Sequence, residues 1–558
     1  MLLFLVACEP TSPIILDPVG EDSPVTESTP VDTGDSTPTI DATVGRVEMS
    51  PKGGSFINQQ EILLEVKDGA GDLYWCLSTP SQTDCTMEPY TGPILLEESG
   101  VVRAEVVQEG RHSDPVAATF VEVASALSGF QSNLPVLLLS SPGSEPDEDS
   151  DRALGMVLIE PPAGGVSSLV ENVANDGRVR LRVRGSSSSG LDKKSWDVEL
   201  WENDSNADRS DALLGMPANG DWILYAPYYF DEALIRNPLA FAVSETLGRY
   251  APRSRFVEVF LAEQGRAIRE EDYLGVYVLM EEIERAPDRV NITELLPTDV
   301  NLPELTGGYL FKIDRTADGE SGLDGYTGTA GGLWEFEQGF VAVEPSEAEM
   351  VTVQKNYLEN RLDALGEALA SDDGTDPGTG LHYDEIMDSD SFIDHHIINI
   401  VMKNPDSFRL SAYMYQDRGG LIVAGPVWDF DRSADSQDDR SGDPTWWDAQ
   451  NYTSDCTDVF AFGWYNPLFE DPVWSARYWA RLDDLLQGDL SNDAMDALID
   501  GLAAGLEEPA ARDADRWGQA EFTGEISELK EWFHTRHDWM QACIAAYEDP
   551  RDCPGDGG

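Results

Sequence analysis

The chain has 558 residues, and its 37 lysines and arginines against 104 aspartates and glutamates give a formal net charge of −67 at pH 7. This charge repels phosphate backbones and anionic lipids, so nucleic acid is excluded as a favoured partner. The length predicts about two to four domains, and 14 tryptophans, 18 tyrosines and 19 phenylalanines are enough to fill hydrophobic cores. The acidity itself fits a solvated surface or, alternatively, the binding of divalent cations.

The N-terminal residues, MLLFLVAC, end in a segment that resembles a bacterial lipobox. In such a motif the cysteine thiol receives diacylglycerol, and cleavage leaves that cysteine at the N-terminus. We therefore expect residues 1–8 to be a lipoprotein signal peptide that ends at lipidated Cys8. A truncated hydrophobic stub is the alternative, because no basic residue precedes the apolar run. Residues 9–45 are acidic and rich in Pro, Ser and Thr, as a tether requires.

Membrane attachment would then rest on the lipid alone, because no other apolar stretch reaches the length of a membrane span. This predicts a protein of the bacterial cell envelope, on the periplasmic or cell-surface side. Cysteine spacing agrees with export, because Cys76 with Cys85 and Cys543 with Cys553 can each close a small loop by a disulfide. Cys456 would stay unpaired, and the alternative is that all these thiols are reduced.

Residues 46–123 predict a small antiparallel β-sandwich, because short apolar strands alternate with Gly, Pro, Ser and Asp. The segments PKGGSF at 51–56, LYWC at 73–76 and YTGPI at 90–94 resemble the C-terminal type of module found in chitobiase and β-hexosaminidase. That resemblance implies an accessory or spacer domain, with sugar binding as the alternative.

The next region begins with a predicted hairpin. RVRLRVR at residues 178–184 alternates strictly, so its three apolar residues share one face of a strand. The turn at 185–190 contains only Gly and Ser, and the following strand begins with two lysines. Backbone N–H groups can approach a phosphate where side chains are small, and a lysine adds positive charge. The hairpin therefore fits a phosphate-covering role, although many such hairpins are only hairpins.

Further motifs follow the hairpin in a fixed order. They are GDWILY at 220–225, YLGVYVLMEE at 273–282, GGYLFKID at 307–314, NPD at 404–406, AYMY at 412–415 and GPVWDFD at 425–431. Together with the hairpin, this series resembles the CotH (spore coat protein H) kinase family from about Leu134 to the C-terminal helix. Because the motifs are collinear over most of the chain, chance is a poor explanation.

The resemblance implies an α+β fold, with an atypical protein-kinase-like, two-lobed domain over residues 130–548 after the sandwich. Residues 549–558 would be a flexible tail. It also implies that the protein binds ATP with Mg²⁺ or Mn²⁺ and phosphorylates Ser or Thr in a protein substrate rich in these residues. With the lipobox, the expected function is a lipid-anchored kinase of exported or surface proteins.

The family pattern assigns catalytic and metal-binding roles to acidic residues. Asp406 stands in the position of a catalytic-loop aspartate, which accepts the proton of the substrate hydroxyl. Asp429 stands where a metal-binding aspartate is expected, with Asp431 as support and Ser411 as a further metal ligand. Without the resemblance, these residues would be interpreted as ordinary acidic turns.

The same pattern assigns the nucleotide phosphates to the hairpin. Arg184 and Gly185 form its turn, and Lys193 or Lys194 supplies the phosphate-binding ammonium group. Lys194 is preferred, because it shares the strand parity of the apolar residues that follow, whereas Lys193 points the other way. Glu281 is the expected ion-pair partner of that lysine.

Two departures from the family pattern keep a second function open. Ser411 stands where the family resembles kinases in having a metal-binding asparagine, and Lys312 stands where members often carry an acidic residue. Serine is a weaker metal ligand than asparagine. The alternative is therefore a catalytically weak pseudokinase that acts as a surface adhesion or scaffold protein.

Overall fold

The computed structural model describes residues 43–185, 188–315, 339–449 and 458–555. Val44–Gly558 form one compact unit. Within the described ranges, the chain combines several β-sheets with eight α-helices. The α+β class expected from the sequence is therefore confirmed.

The N-terminal sandwich consists of two sheets. Its strands are β1 (Arg46–Ser50), β2 (Gly54–Ile57), β3 (Gln60–Lys67), β4 (Asp72–Ser78), β5 (Glu88–Pro89), β6 (Ile94–Leu96), β7 (Gly100–Gln108), β8 (Arg111–His112) and β9 (Val116–Val123). One sheet has the order β1-β3-β6, and the other has the order β2-β9-β7-β4-β5, with β8 beside β7. The other strand pairs of the two sheets are antiparallel, as the sequence predicts, but the β2–β9 pair is parallel. These two strands are far apart in sequence, which permits a parallel pairing that a short hairpin excludes.

A closed β-barrel follows the sandwich. The strands of this region are β10 (Gln131–Ser132), β11 (Val136–Ser140), β12 (Ala153–Ile159), β13 (Ser167–Ser168), β14 (Val173–Val183), β15 (Trp196–Trp201), β16 (Asp221–Tyr225), β17 (Ser254–Ala262) and β18 (Tyr273–Glu281). Seven of them close in the order β11-β12-β14-β15-β16-β18-β17. In β14, Val179, Leu181 and Val183 point into the barrel core, as the alternating pattern predicts.

The sandwich is fixed to the barrel by an apolar cluster and by a buried arginine. Val121 and Val123 of β9 pack in one cluster with Phe260 of β17. Arg178 of β14 is fully buried, and its Nε donates a hydrogen bond to the Pro80 carbonyl at 2.6 Å. These contacts make the sandwich part of the same compact unit.

The C-terminal half combines a second sheet with most of the helices. Its strands are β19 (Tyr309–Asp314), β20 (Gly339–Glu344), β21 (Ala412–Gln416) and β22 (Ile422–Ala424), in the order β20-β19-β21-β22. The helices of the chain are α1 (Arg236–Thr246), α2 (Thr352–Ala370), α3 (Ser389–Met402), α4 (Tyr465–Glu470), α5 (Pro472–Gln487), α6 (Asn492–Ala503), α7 (Glu507–Trp517) and α8 (Phe522–Ala546). Helix and sheet residues share one large core.

Two disulfides lie at opposite ends of the described chain. They join Cys76 to Cys85 in the sandwich and Cys543 to Cys553 after α8, which are the pairs that the spacing favours. Lipidation of Cys8 and the free thiol of Cys456 concern positions outside the described residues.

The predicted flexible tail is wrong for residues 549–555. Pro550–Asp552 form a 3-10 turn, and Cys553 is buried and disulfide-bonded. The indole N–H of Trp447 also donates a hydrogen bond to the Pro550 carbonyl at 3.1 Å. The covalent link and this packing hold the segment against the helical core.

In the part of the chain that the structure describes, no helix combines the length and the apolar character that crossing a bilayer requires.

Candidate functional site

The loops that carry the candidate acidic residues have an unusual backbone. Helix α3 is followed by Lys403, which has a φ of 50°, and the two loops then place Phe408, Ser411 and Asp429 at φ values of 64°, 50° and 65°. Such left-handed conformations cost about 1–3 kcal/mol each for residues other than glycine, and they concentrate at functional sites. The surrounding fold therefore holds residues 404–411 and 425–431 in conformations that they would not adopt alone.

Asn404 connects these two loops. Its side-chain oxygen accepts a hydrogen bond from the backbone N–H of Asp406 at 3.1 Å, and its Nδ2 lies 3.4 Å from the Asp429 carbonyl. The Asp406 carboxylate accepts hydrogen bonds from Arg409 and, at 3.3 Å, from Arg440. Asp406 is thus oriented by its backbone on one side and by two guanidinium groups on the other.

Asp429 and Asp431, here called the acidic pair, lie in an environment that disfavours negative charge. Burial, together with the charges of Asp406 and Asp314, raises the pKa of Asp429 to about 6. Burial and the charge of Asp429 raise the pKa of Asp431 well above its usual range. The Ser411 hydroxyl lies 3.5 Å from the Asp429 carboxylate. A cation placed here would relieve the repulsion among these carboxylates.

The acidic pair and Ser411 offer fewer metal ligands than a site in which the protein supplies the whole coordination shell. The described residues contain no group of three or more His, Cys, Asp or Glu side chains arranged to hold a metal ion. Mg²⁺, however, is usually held by one or two carboxylates and completes its shell with substrate phosphates and water. Asp429, Asp431 and Ser411 fit this second mode.

The hairpin turn begins beside the loop that carries the acidic pair. The Arg184 guanidinium forms an ion pair with Asp197 at 2.9 Å and lies 5.6 Å from the ring centroid of Trp428. Gly185 has a φ of 99°, and a Cβ atom there would lie 2.2 Å from the Ser188 hydroxyl oxygen. This turn therefore requires glycine, whose freedom of rotation allows the close approach.

A narrow cleft lies between the hairpin and Asp431 of the acidic pair. Ser188 and Leu191 of the hairpin line it with Tyr225, Phe230 and Asp431, and they leave about 10 Å³ of free space. The described part of the hairpin therefore lies beside Asp431, and its role in covering phosphates stays a prediction.

Lys193 also lines this cleft, but its ammonium group is engaged by other parts of the protein. Its ammonium group is fully buried and donates hydrogen bonds to the carbonyls of Pro227 and Val276 and, at 2.7 Å, to Asp513 of α7. Burial lowers the pKa of Lys193, whereas the Asp513 charge raises it. All three donors of the ammonium are engaged, so Lys193 joins α7 to the barrel.

Lys194 lies partly exposed at the hairpin, and its ammonium donates a hydrogen bond to the Ser189 carbonyl at 3.2 Å. The parity argument that preferred Lys194 is wrong, because β15 begins only at Trp196. Strict alternation holds within a strand, and the residues before the strand do not follow it. As a result, Lys193 and not Lys194 points into the protein.

Glu281 is not the partner of either lysine, and that expectation is also wrong. Its buried carboxylate accepts hydrogen bonds from Arg253 at 2.9 and 2.7 Å and from the Tyr250 hydroxyl at 3.2 Å. The neighbouring Glu282 interacts with Arg184 instead, and burial raises the pKa of Glu282 to about 7. Glu282 directly follows the last residue of β18, and the doubled glutamate was the signal that could have identified it.

Lys312, the second departure from the family pattern, lies at the edge of the site. Its ammonium forms an ion pair with Asp314 at 2.9 Å and lies 5.7 Å from the ring centroid of Tyr413. Asp314 is one of the charges that raise the pKa of Asp429. The substituted lysine therefore offsets part of the negative charge beside the acidic pair.

Sequence reasoning missed a group of charged residues that follows the acidic pair. Asp438 accepts from Arg432 at 2.9 Å and from Arg440 at 2.8 Å. Arg440 in turn contacts Asp406, and Arg432 is among the charges that act on Asp429. The only signal in the sequence is the density of Asp and Arg in DFDRSADSQDDR at residues 429–440, which gives no pairing.

The fold and this site define an α+β protein in which a hairpin lies against one of two carboxylates of raised pKa, and two arginines hold a third carboxylate nearby. A family model described as CotH kinase protein matches residues 181–540, which is more than half of the chain. The chain therefore belongs to the CotH kinase family and is a kinase-like protein. No curated protein matches the chain.

Proposed function

We propose that the protein is a metal-dependent, ATP-binding kinase that phosphorylates Ser or Thr of exported or surface proteins. The observation that carries the proposal is the closeness of Asp406 to the acidic pair, whose charges act on one another, together with the cleft that Asp431 shares with the hairpin. Phosphoryl transfer needs a carboxylate for the acceptor hydroxyl, carboxylates for metal, and a turn that covers the phosphates. The barrel and the helical half would act as the two lobes.

Each group has a distinct role in this proposal. Asp429, Asp431 and Ser411 would hold Mg²⁺ or Mn²⁺, which supplies charge neutralisation for the phosphates of ATP. Asp406 orients the acceptor hydroxyl and takes its proton. The backbone at Gly185 approaches the phosphates, and Arg184 adds positive charge beside it.

A pseudokinase that acts as a surface adhesion or scaffold protein is the second candidate. It is favoured by the engagement of two residues that the family pattern places at the phosphates. Lys193 donates a hydrogen bond to Asp513, and Glu281 accepts hydrogen bonds from Arg253. The serine at position 411 weakens the metal site further.

The test compares nucleotide binding with phosphoryl transfer in the same proteins. ATP is titrated with Mg²⁺ or Mn²⁺, and autophosphorylation is measured in parallel. Asp429→Asn should weaken metal-dependent ATP binding and transfer together, because it removes a metal ligand. Asp406→Asn should abolish transfer and leave ATP binding nearly unchanged, because this residue serves only the chemical step. Ser411→Asn should raise transfer if the weak ligand limits activity.

The matched control is Asp372→Asn, which removes one charge from an exposed site after α2. It should change neither ATP binding nor phosphoryl transfer. Absence of ATP binding by the unaltered protein would reject the kinase. ATP binding without transfer, even in Ser411→Asn, would establish the pseudokinase.

We further propose that Cys8 carries the lipid that anchors the protein in the cell envelope. The support is the LVAC segment at residues 5–8 and the polar stretch that follows it. Labelled fatty acid should be incorporated in vivo, and Cys8→Ser should release the protein into the soluble fraction. An unlabelled protein with an unchanged distribution would contradict the anchor.

A further inference from the structure

Helix α1 begins with two buried polar residues that have no role in the proposed kinase site. Arg236 is only 2% exposed, and Asn237 is only 3% exposed. Buried polar side chains are almost always hydrogen-bonded, because an unpaired polar group loses its contacts with water without compensation. The partners of these two side chains therefore indicate what the start of α1 does.

Asn237 holds the residue that separates the two carboxylates of the acidic pair. Its side-chain oxygen accepts a hydrogen bond from the backbone N–H of Phe430 at 2.7 Å, across 193 residues of sequence. Phe430 is buried and lies outside the helices and strands. The side chain of Asn237 therefore supplies the acceptor that regular secondary structure would otherwise provide.

Arg236 holds the backbone that directly follows the acidic pair. Its Nε donates hydrogen bonds to the carbonyls of Ser433 at 3.0 Å and Ala434 at 3.2 Å, and its Nη2 donates to the Asp435 carbonyl at 2.9 Å. Its Nη1 donates to the fully buried Asp231 carboxylate at 3.0 Å. Asp231 neutralises the guanidinium, and the remaining donors are directed to the chain after Asp431.

Residues 429–435 need such contacts because their conformation is unfavourable. Asp429, Ala434 and Asp435 have φ values of 65°, 47° and 63°, and left-handed conformations cost free energy for residues other than glycine. The charge of Asp429 also repels that of Asp431. Without contacts from another part of the fold, this stretch would relax and the two carboxylates would move apart.

The contacts of α1 reach the chain between the two carboxylates and directly after them. We propose that Arg236 and Asn237 are positioning residues of the proposed metal site, which keep the acidic pair in the conformation that binds the cation. Both side chains act on backbone groups of residues 430–435, and neither serves as a metal ligand. The identity of the site rests on the proposed function, whereas the contacts of α1 with these residues do not.

The holding of residues 430–436 is tested by hydrogen–deuterium exchange and mass spectrometry on the full chain, without metal or nucleotide. Asn237→Leu keeps a similar side-chain volume and removes the acceptor, so amide exchange in this stretch should rise about tenfold. Asn237→Asp keeps an acceptor oxygen and should restore slow exchange. Arg236→Lys keeps the charge opposite Asp231 but loses the planar set of donors, so exchange should rise in this variant as well.

The matched control is Val243→Ala, which shortens a fully buried side chain two turns further along α1. It loosens the core around the helix without removing a contact to residues 430–436, so their exchange should stay within about twofold of that in the unaltered protein. Equal exchange in Asn237→Leu and Val243→Ala would overturn the proposal, because the effect would then belong to the helix as a whole.

The consequence for the metal site is measured by titration with Mn²⁺, followed by electron paramagnetic resonance, at about 150 mM salt to screen loose attraction to the acidic surface. Only binding that Asp429→Asn abolishes is assigned to the site. Asn237→Leu should weaken this binding about tenfold, because residues that orient metal ligands typically change metal affinity by that factor or more. Asn237→Asp should restore the affinity, and Val243→Ala should leave it unchanged.

The two measurements separate this inference from the kinase. If the unaltered protein does not bind ATP, while Asn237→Leu raises exchange and weakens Mn²⁺ binding, the kinase proposal fails and the positioning role stands. If ATP binds and Asn237→Leu leaves the Mn²⁺ affinity unchanged, the positioning role fails alone. Absence of any Mn²⁺ binding that depends on Asp429 would overturn it as well.

Discussion

The barrel and the loops at residues 404–431 both carry family motifs, but they accommodate buried charge differently. In the barrel, Lys193 lies 2.7 Å from Asp513, and Glu281 lies 2.7 Å from Arg253, so each charge has an opposite partner. In the loops, Asp429 faces Asp431 and other carboxylates, and its pKa rises to about 6.

This difference separates buried charges that stabilise the fold from buried charges that destabilise it. Removing one partner of a buried ion pair leaves an uncompensated charge, which is strongly destabilising. Removing one of several repelling carboxylates has the opposite effect. Motif residues can therefore be sorted into structural and ligand-binding groups by measuring stability without any ligand.

The largest effect is expected for Lys193→Met. The free energy of unfolding should fall by about 3–5 kcal/mol, because Asp513 is left buried without its partner. Lys193→Met combined with Asp513→Leu should recover most of this loss. The free energies of unfolding of the single and the double variant are measured by urea unfolding. As the control, Lys194→Met changes the partly exposed neighbour and should lower the free energy of unfolding by less than about 1 kcal/mol. A larger loss for Lys194→Met than for Lys193→Met would reverse the assignment of the two lysines.

A smaller effect of opposite sign is expected for Asp429→Asn. The folded protein keeps the proton on Asp429 up to a pH of about 6, so the penalty for its charge grows as the pH rises from about 4 and is complete above about 6. Without divalent cations, Asp429→Asn should therefore raise the free energy of unfolding by about 2 kcal/mol at pH 8.

At pH 3.5 most of this gain should be lost, because the carboxyl group is then protonated in the folded state and largely protonated in the unfolded state. Asp406→Asn is the matched comparison, and it should destabilise the protein because Arg409 and Arg440 lose their shared acceptor. The stability of the unaltered protein, of Asp429→Asn and of Asp406→Asn is measured by thermal unfolding at a series of pH values. A stability gain in Asp406→Asn would contradict the contrast between the two aspartates.

Glu282→Gln tests the carboxylate that sequence reasoning missed. Burial raises its pKa from an ordinary value of 4.5 to about 7, so the stability penalty appears as the pH rises through this interval. Glu282→Gln should remove about 1–2 kcal/mol of this loss at pH 8, since Arg184 and residual solvent moderate the effect. If Glu282→Gln instead lowered stability at pH 8, Glu282 would be a required partner of Arg184.

The smallest effect is expected for Ser411→Asn. Position 411 has a φ of 50°, and asparagine tolerates this left-handed conformation well, so the free energy of unfolding should change by less than about 0.5 kcal/mol. Ser411→Val should cost about 1–2 kcal/mol, because β-branched residues rarely adopt this conformation. Equal stability of the two variants would show that the backbone at this position relaxes freely.

Much of the fold could be predicted from local patterns. The alternation of Val179, Leu181 and Val183 gave the buried face of β14, and cysteine spacing favoured both disulfide pairs. The parallel pairing of β2 with β9 could not be predicted, because it joins segments whose partner choice depends on the packed sheet and not on their own sequences.

The candidate site was predicted less completely than the fold. The turn at Gly185 and the loops with Asp406 and Asp429 are where the motif order puts them, and the structure brings them together. The predicted orientation of Lys193 and Lys194 and the predicted partner of Glu281 were wrong, because the alternation rule was extended beyond the strand and because Asp513 and Arg253 are distant in sequence. A buried charge takes the nearest opposite charge in space, which a motif does not contain.

The sequence by itself determined the family, the α+β class, the hairpin and the acidic character of the loops. These depend on residue type, on short-range periodicity and on the order of motifs along the chain. Tertiary structure alone decided which charges are neutralised, which carboxylates repel one another, and that Arg440 reaches Asp406. The reason is physical, because desolvation and Coulomb interactions depend on distances between residues that folding brings together from distant parts of the chain.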